Sequence, residues 1–130
     1  MTARASRGLG LLTAMLLFMP AMAHAQEMGP KPEGKDVTVT GVVVDVSCKF
    51  GQGLTGEGHR MCAQVCADRG IPLAILTDDG KLFIPTTAAM PGEGQNPRLK
   101  EFAEQRVTVK GKAFPAGGAQ ALEIASIERA

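Results

Sequence analysis

Five apolar runs rich in β-branched residues, separated by glycine, proline and Asp/Asn turns and by two short stretches of helical period, leave this chain few folds to choose from. In the first run, residues 37–48, Val37 and Val39 occupy odd positions and Val42, Val44, Val46 and Cys48 even ones. The change of phase at Gly41 predicts a β-bulge, which bends a long strand. With even positions inward beyond it, Cys48 faces the interior and Asp45 and Ser47 face out. Residues 49–58 carry four glycines and read as a loop, and residues 59–69 read as a helix stopped by Gly70 and Pro72. Residues 71–76 and 81–85 form a hairpin about Thr77-Asp78-Asp79-Gly80. Asn96 and Pro97 supply a cap and first residue for a helix of about two turns, with Leu99, Phe102 and Ala103 as its apolar stripe. Residues 106–114 and 119–127 are two final strands, the second changing phase near Ser126.

That order predicts a mainly β protein: a five-stranded OB-like barrel with a helical insertion after strand 1 and a short helix between strands 3 and 4. Closure removes the exposed edges that so small a sheet would otherwise present. An open α+β sheet with two helices on one face is the alternative. No internal repeat is visible.

Residues 1–25 read as a signal peptide. Arg4 and Arg7 precede an apolar run, residues 9–19, which is shorter than the roughly 18 residues needed to span a bilayer. Pro20 breaks the run, and Ala23-His24-Ala25 offers a cleavage site ahead of Gln26. The expected product is periplasmic or secreted, with no stable membrane anchor after cleavage. Residues 26–35, with Gly29, Pro30, Pro32 and Gly34, read as a flexible N-terminal tether, and residues 36–130 as one domain.

Loss of the leader leaves 12 Lys and Arg against 13 Asp and Glu, a balance that argues against nucleic-acid partners and a polybasic membrane foot. Phe50, Phe83, Phe102 and Phe114 are the only aromatic residues left, too few for a base-stacking platform.

The chemistry-bearing residues lie close together: Cys48, His59, Cys62 and Cys66 are all the cysteines of the chain and its one histidine outside the leader. On an unbroken helix His59, Cys62 and Cys66 share a face, and with an inward Cys48 they make a Cys3His set suited to zinc, the thiolates being suited to copper(I) as well. Seven residues of helix rise about 10.5 Å, so a single four-ligand ion requires His59 to sit off the helix end. The competing reading is a disulfide from Cys48 to Cys62 or Cys66, worth roughly 3 kcal/mol in the chain-entropy model, with the spare thiol packed beside Val65 against the sheet. Thiol redox chemistry lacks a C-x-x-C motif and a thioredoxin-like order of elements. Gly51-Gln52-Gly53-Leu54-Thr55-Gly56 matches G-x-G-x-x-G, but no helix opens at those glycines and no βαβ crossover follows, so a dinucleotide site is rejected. Glu101, Glu104 and Glu123 read as solvated faces.

Asp45-Val46-Ser47-Cys48, His59-Arg60-Met61-Cys62-Ala63-Gln64-Val65-Cys66, Gly70-Ile71-Pro72, Asp79-Gly80-Lys81-Leu82 and Val107-Thr108-Val109-Lys110-Gly111 together resemble a group of small exported bacterial OB-fold-like proteins of uncharacterised function. The resemblance spans nearly the whole chain after the leader. It implies the fold and the exported location and carries no activity. The sequence thus points to a non-catalytic binding domain with a metal site at Cys48, His59, Cys62 and Cys66. The alternative is a disulfide-stapled module that takes a protein or small ligand on the barrel face and the 90–95 loop.

Overall fold

Strand β1 (Lys35–Asp45) is eleven residues long because it serves two neighbours. From Lys35 to Val42 it pairs antiparallel with β4 (Arg106–Ala116), and from Val42 to Asp45 with β2 (Leu73–Leu76). A hairpin leads from β2 to β3 (Leu82–Thr86), which runs parallel to β5 (Ala119–Arg129), and β5 pairs with β4 to close the barrel in the order β1-β2-β3-β5-β4. This is the OB-like barrel that the order of elements predicted; the open sheet is not formed. The computed structural model describes residues 29–130 except Lys31 and Gly117. The expected leader and the start of the tether lie outside the described residues.

Between β1 and β2 come helix α1 (Val46–Gln52), a 3-10 turn (Glu57–His59) and helix α2 (Arg60–Asp68). Between β3 and β4 comes α3 (Asn96–Leu99), which runs into a second 3-10 turn (Lys100–Phe102). Among the described residues no helix is long and apolar enough to cross a membrane.

The bulge expected at Gly41 is absent. The inward face of β1 keeps one phase through Val39, Gly41 and Val43, with no register shift between β1 and β4. Gly41 is required for a different reason: a Cβ there would lie 2.5 Å from the Leu76 carbonyl oxygen, at the point where β1 passes from one neighbour to the other. Val44 mimics a phase change because both faces of the strand are covered at this end. It is buried, as are its register partner Ala74 and Ala63 of α2, and none of the three belongs to the main core. A shift in register does occur in the last hairpin, where Lys110 pairs with Ser126 and Gly111 with Ile124, leaving Ala125 as the extra residue beside the expected position.

Val43, Ile75, Leu99, Val107, Val109 and Leu122 are fully buried in the barrel core. At about 1.5–3 kcal/mol for each such side chain, they outweigh the Lys81–Asp79 and Arg106–Asp78 pairs, which lie in solvent and are screened by it.

Asn96 does not cap α3, whose N-cap is Gln95. Its side chain instead ties the insertion to the barrel: Nδ2 donates to the carbonyls of Ala67 (3.0 Å) and Ile71 (2.8 Å), and Oδ1 accepts from the Leu73 N–H (3.0 Å). Replacing it removes the side-chain partner of the Ile71 carbonyl and the Leu73 N–H, and leaves the Ala67 carbonyl with the Gly70 N–H alone. Asn96→Ala is therefore expected to lower stability by about 2 kcal/mol, read as a drop in the urea midpoint at unchanged m-value; a loss below about 0.5 kcal/mol contradicts the clamp.

Candidate metal centre

β1 stops at Asp45, and Asp45 itself is the reason. Its backbone is extended, and its Oδ1 accepts from the N–H groups of Ser47 (2.8 Å) and Cys48 (3.1 Å), an N-cap that starts α1. At the other end Gly53, in the left-handed region, donates to the carbonyls of Cys48 and Lys49. The expectation that Cys48 lies on the strand and that Asp45 faces out is thus corrected, whereas Ser47 is exposed and Cys48 buried as expected. Cys48 sits in the first turn of a helix, residues through Gln52 are helical, and Asp45 is fully buried.

His59 ends the 3-10 turn ahead of α2, off the helix that carries Cys62 and Cys66. Its ring is buried and held by Glu104, whose Oε1 lies 3.0 Å from Nδ1. A carboxylate only accepts, so Nδ1 donates, and in the neutral ring Nε2 carries the lone pair. Glu104 Oε2 accepts from Thr55 Oγ1 (3.1 Å) and from the Gly56 N–H (2.7 Å). Gly56 has φ 90°, a conformation that glycine adopts freely and that serves this contact. Glu104 is not a solvated surface carboxylate: its side chain is 0% exposed. It adopts φ 58°, and its N–H donates to the Val43 carbonyl at 2.7 Å, so β1 holds the backbone in a conformation that costs about 1–2 kcal/mol. The sequence signal for Glu104 was slight, a carboxylate just ahead of a strand; Asp45 carried a better one, an Asp three residues before Cys48 at a strand end.

The ligand atoms of Cys48, Cys62 and Cys66 lie within 4.8 Å of one another, and so do those of Asp45, Cys48 and His59. Cys48 belongs to both sets. All three cysteines are free thiols. Cys48 is buried, Cys66 half-buried and Cys62 exposed, and Val65 is exposed too, so no spare thiol is packed with Val65 against the sheet. α2 turns Ala63 and Ala67 to the barrel and is fixed from outside by Arg60 and Gln64, which donate to the carbonyls of Glu101 and Lys100.

Two buried atoms of the site have no hydrogen-bond partner: His59 Nε2 and Asp45 Oδ2. The thiols of Cys66 and Cys48 face the Asp45 carboxylate closely enough to act on its acidity without being aligned to satisfy Oδ2. Burial works to raise the Asp45 carboxyl, but the Cys48 N–H, the two thiols and the Ser47 N–H outweigh it and hold the group below the usual range. Burial, then the carboxylate, push the Cys48 thiol up. The carboxylate, then burial, push Cys66 up to about 12.

Reactivity in the metal-free protein should follow this asymmetry. At pH 8 iodoacetamide is expected to modify exposed Cys62 first, with Cys48 and Cys66 reacting at least tenfold more slowly, because only the thiolate attacks and theirs is scarce; peptide mass mapping over time checks the order, and equal rates at the three thiols contradict it. No protein family model, curated protein or solved structure matches the chain, so the chemistry of this centre rests on its own atoms.

Proposed function

We propose that the protein is an exported, non-catalytic OB-like domain that binds a soft metal ion, zinc or copper(I), through Cys48, Cys62, Cys66 and His59. The observation that carries this reading is His59 Nε2, buried and deprived of any hydrogen-bond partner, on a ring that brings a nitrogen within 4.8 Å of the Cys48 sulfur. A polar atom left so costs about 1–3 kcal/mol, which a metal bond removes. Glu104 supplies what such a ligand needs behind it, a carboxylate on the other ring nitrogen that sets the tautomer and the ring plane. The three thiols supply a donor set on which zinc and copper(I) are favoured over hard cations. Export follows from the leader read in residues 1–25 and places the site where metal ions are exchanged with the surroundings.

A second reading rests on the same proximity. Cys48 is near enough to both other thiols for oxidation to join it to one of them, giving a disulfide-stapled module for a protein or small ligand without metal. The disulfide leaves His59 Nε2 unsatisfied, which favours the metal.

Elemental analysis of the purified protein, together with a count of alkylatable thiols by intact mass, separates the two. The metal reading expects bound zinc or copper and three alkylatable thiols once a chelator has removed it. One alkylatable thiol and no metal contradicts it. Glu104→Ala is expected to weaken metal affinity by about 10–100-fold, with Glu104→Gln, which still accepts from Nδ1, less affected; competition against a chromophoric chelator gives the values, and equal affinity in all three proteins removes Glu104 from the site.

A further inference from the structure

Resting on the metal reading above, we infer that the centre holds two divalent ions of the zinc type, bridged by the Cys48 thiolate, rather than one. Five side chains converge here, Asp45, Cys48, His59, Cys62 and Cys66, and one tetrahedral ion takes only four donors. They fall into two triples that have Cys48 in common. The outer triple, with Cys62 and Cys66, reaches the surface; the inner one, Asp45, Cys48 and His59, is buried throughout.

Both orphaned atoms belong to the inner triple. Had a single ion been bound by the thiolates and His59, Asp45 Oδ2 would still be left buried without a donor, and next to thiolates that had lost their protons. Charge makes the same point. Three thiolates and the Asp45 carboxylate carry four negative charges, and among the described residues no lysine or arginine pairs with Asp45. One divalent ion leaves two of those charges uncompensated in a partly buried corner, and the buried Glu104 carboxylate behind His59 adds a fifth; two divalent ions leave only one of the five uncompensated. A thiolate bound to one metal keeps lone pairs for a second, and Cys48 occupies the shared vertex. Its helix is closed by the Asp45 cap at one end and Gly53 at the other, so the bridge sits on a fixed element. Asp45 has both roles at once: Oδ1 starts α1 and Oδ2 faces the inner ion.

Zinc titration of the reduced full chain, followed by native mass spectrometry, tests the count. The wild type is expected to saturate at two ions per chain. Asp45→Asn keeps an acceptor for the helix cap and so keeps the fold, and it is expected to stop at one. The double variant Cys62→Ser/Cys66→Ser, which alters only α2, is expected to stop at one as well, held by the inner triple. A wild type that saturates at one ion overturns the pair while leaving the single-ion reading standing, and Asp45→Asn that still takes two overturns it also. A wild type that takes none overturns both readings. Two ions retained by a variant with all three cysteines changed to serine would show adventitious sites and overturn the bridge.

Discussion

The carboxylate of Asp45 turns a strand into a helix, and the placement of Cys48, the residue common to both ligand sets, follows from that turn. The chain arrives along β1 with its inward face fixed by Val39 and Val43, and the side chain of the last strand residue captures the next two free N–H groups. Continued strand would have sent Cys48 further along the barrel wall. The helix instead lifts it onto the rim, beside the helix that carries Cys62 and Cys66. The insertion thus converts the end of one strand into a concentration of sulfur.

The second constraint comes from the far side of the sequence. Glu104 lies 45 residues from His59, and its backbone is strapped to β1 through Val43 in a left-handed conformation that a glutamate does not choose for itself. Strain of this kind persists where surrounding contacts over-determine it. Here they aim a carboxylate at the imidazole and at the Gly56 N–H together. The connection between β3 and β4 therefore works as the back wall of the centre, and Asn96, Arg60 and Gln64 keep the wall and the insertion in register.

The barrel was legible in the order of elements because strand and helix periods are local properties: the hairpin at Thr77 to Gly80, the phase change near Ser126 and the stop at Gly70 each announce themselves within a few residues. The end of β1 was misread for an equally physical reason. Val44 and Val46 look like an inward face, but an insertion that covers the outside of the barrel buries both faces of the strand, and a period of two cannot register that. The clustering of Cys48, His59, Cys62 and Cys66 was visible as spacing. Glu104 was not, since its role depends on a backbone hydrogen bond to Val43 and a positive φ, neither of which leaves a mark in the sequence around it.

The central claim is that these side chains hold a soft metal by sulfur and by the free nitrogen of a carboxylate-braced histidine. X-ray absorption at the zinc edge of the loaded protein tests it most directly. A first shell dominated by sulfur at about 2.3 Å, with a smaller nitrogen or oxygen contribution near 2.0–2.1 Å that carries imidazole multiple scattering, is the predicted result. A first shell of nitrogen and oxygen alone would contradict the account, because it would place the metal somewhere other than at Cys48, Cys62 and Cys66.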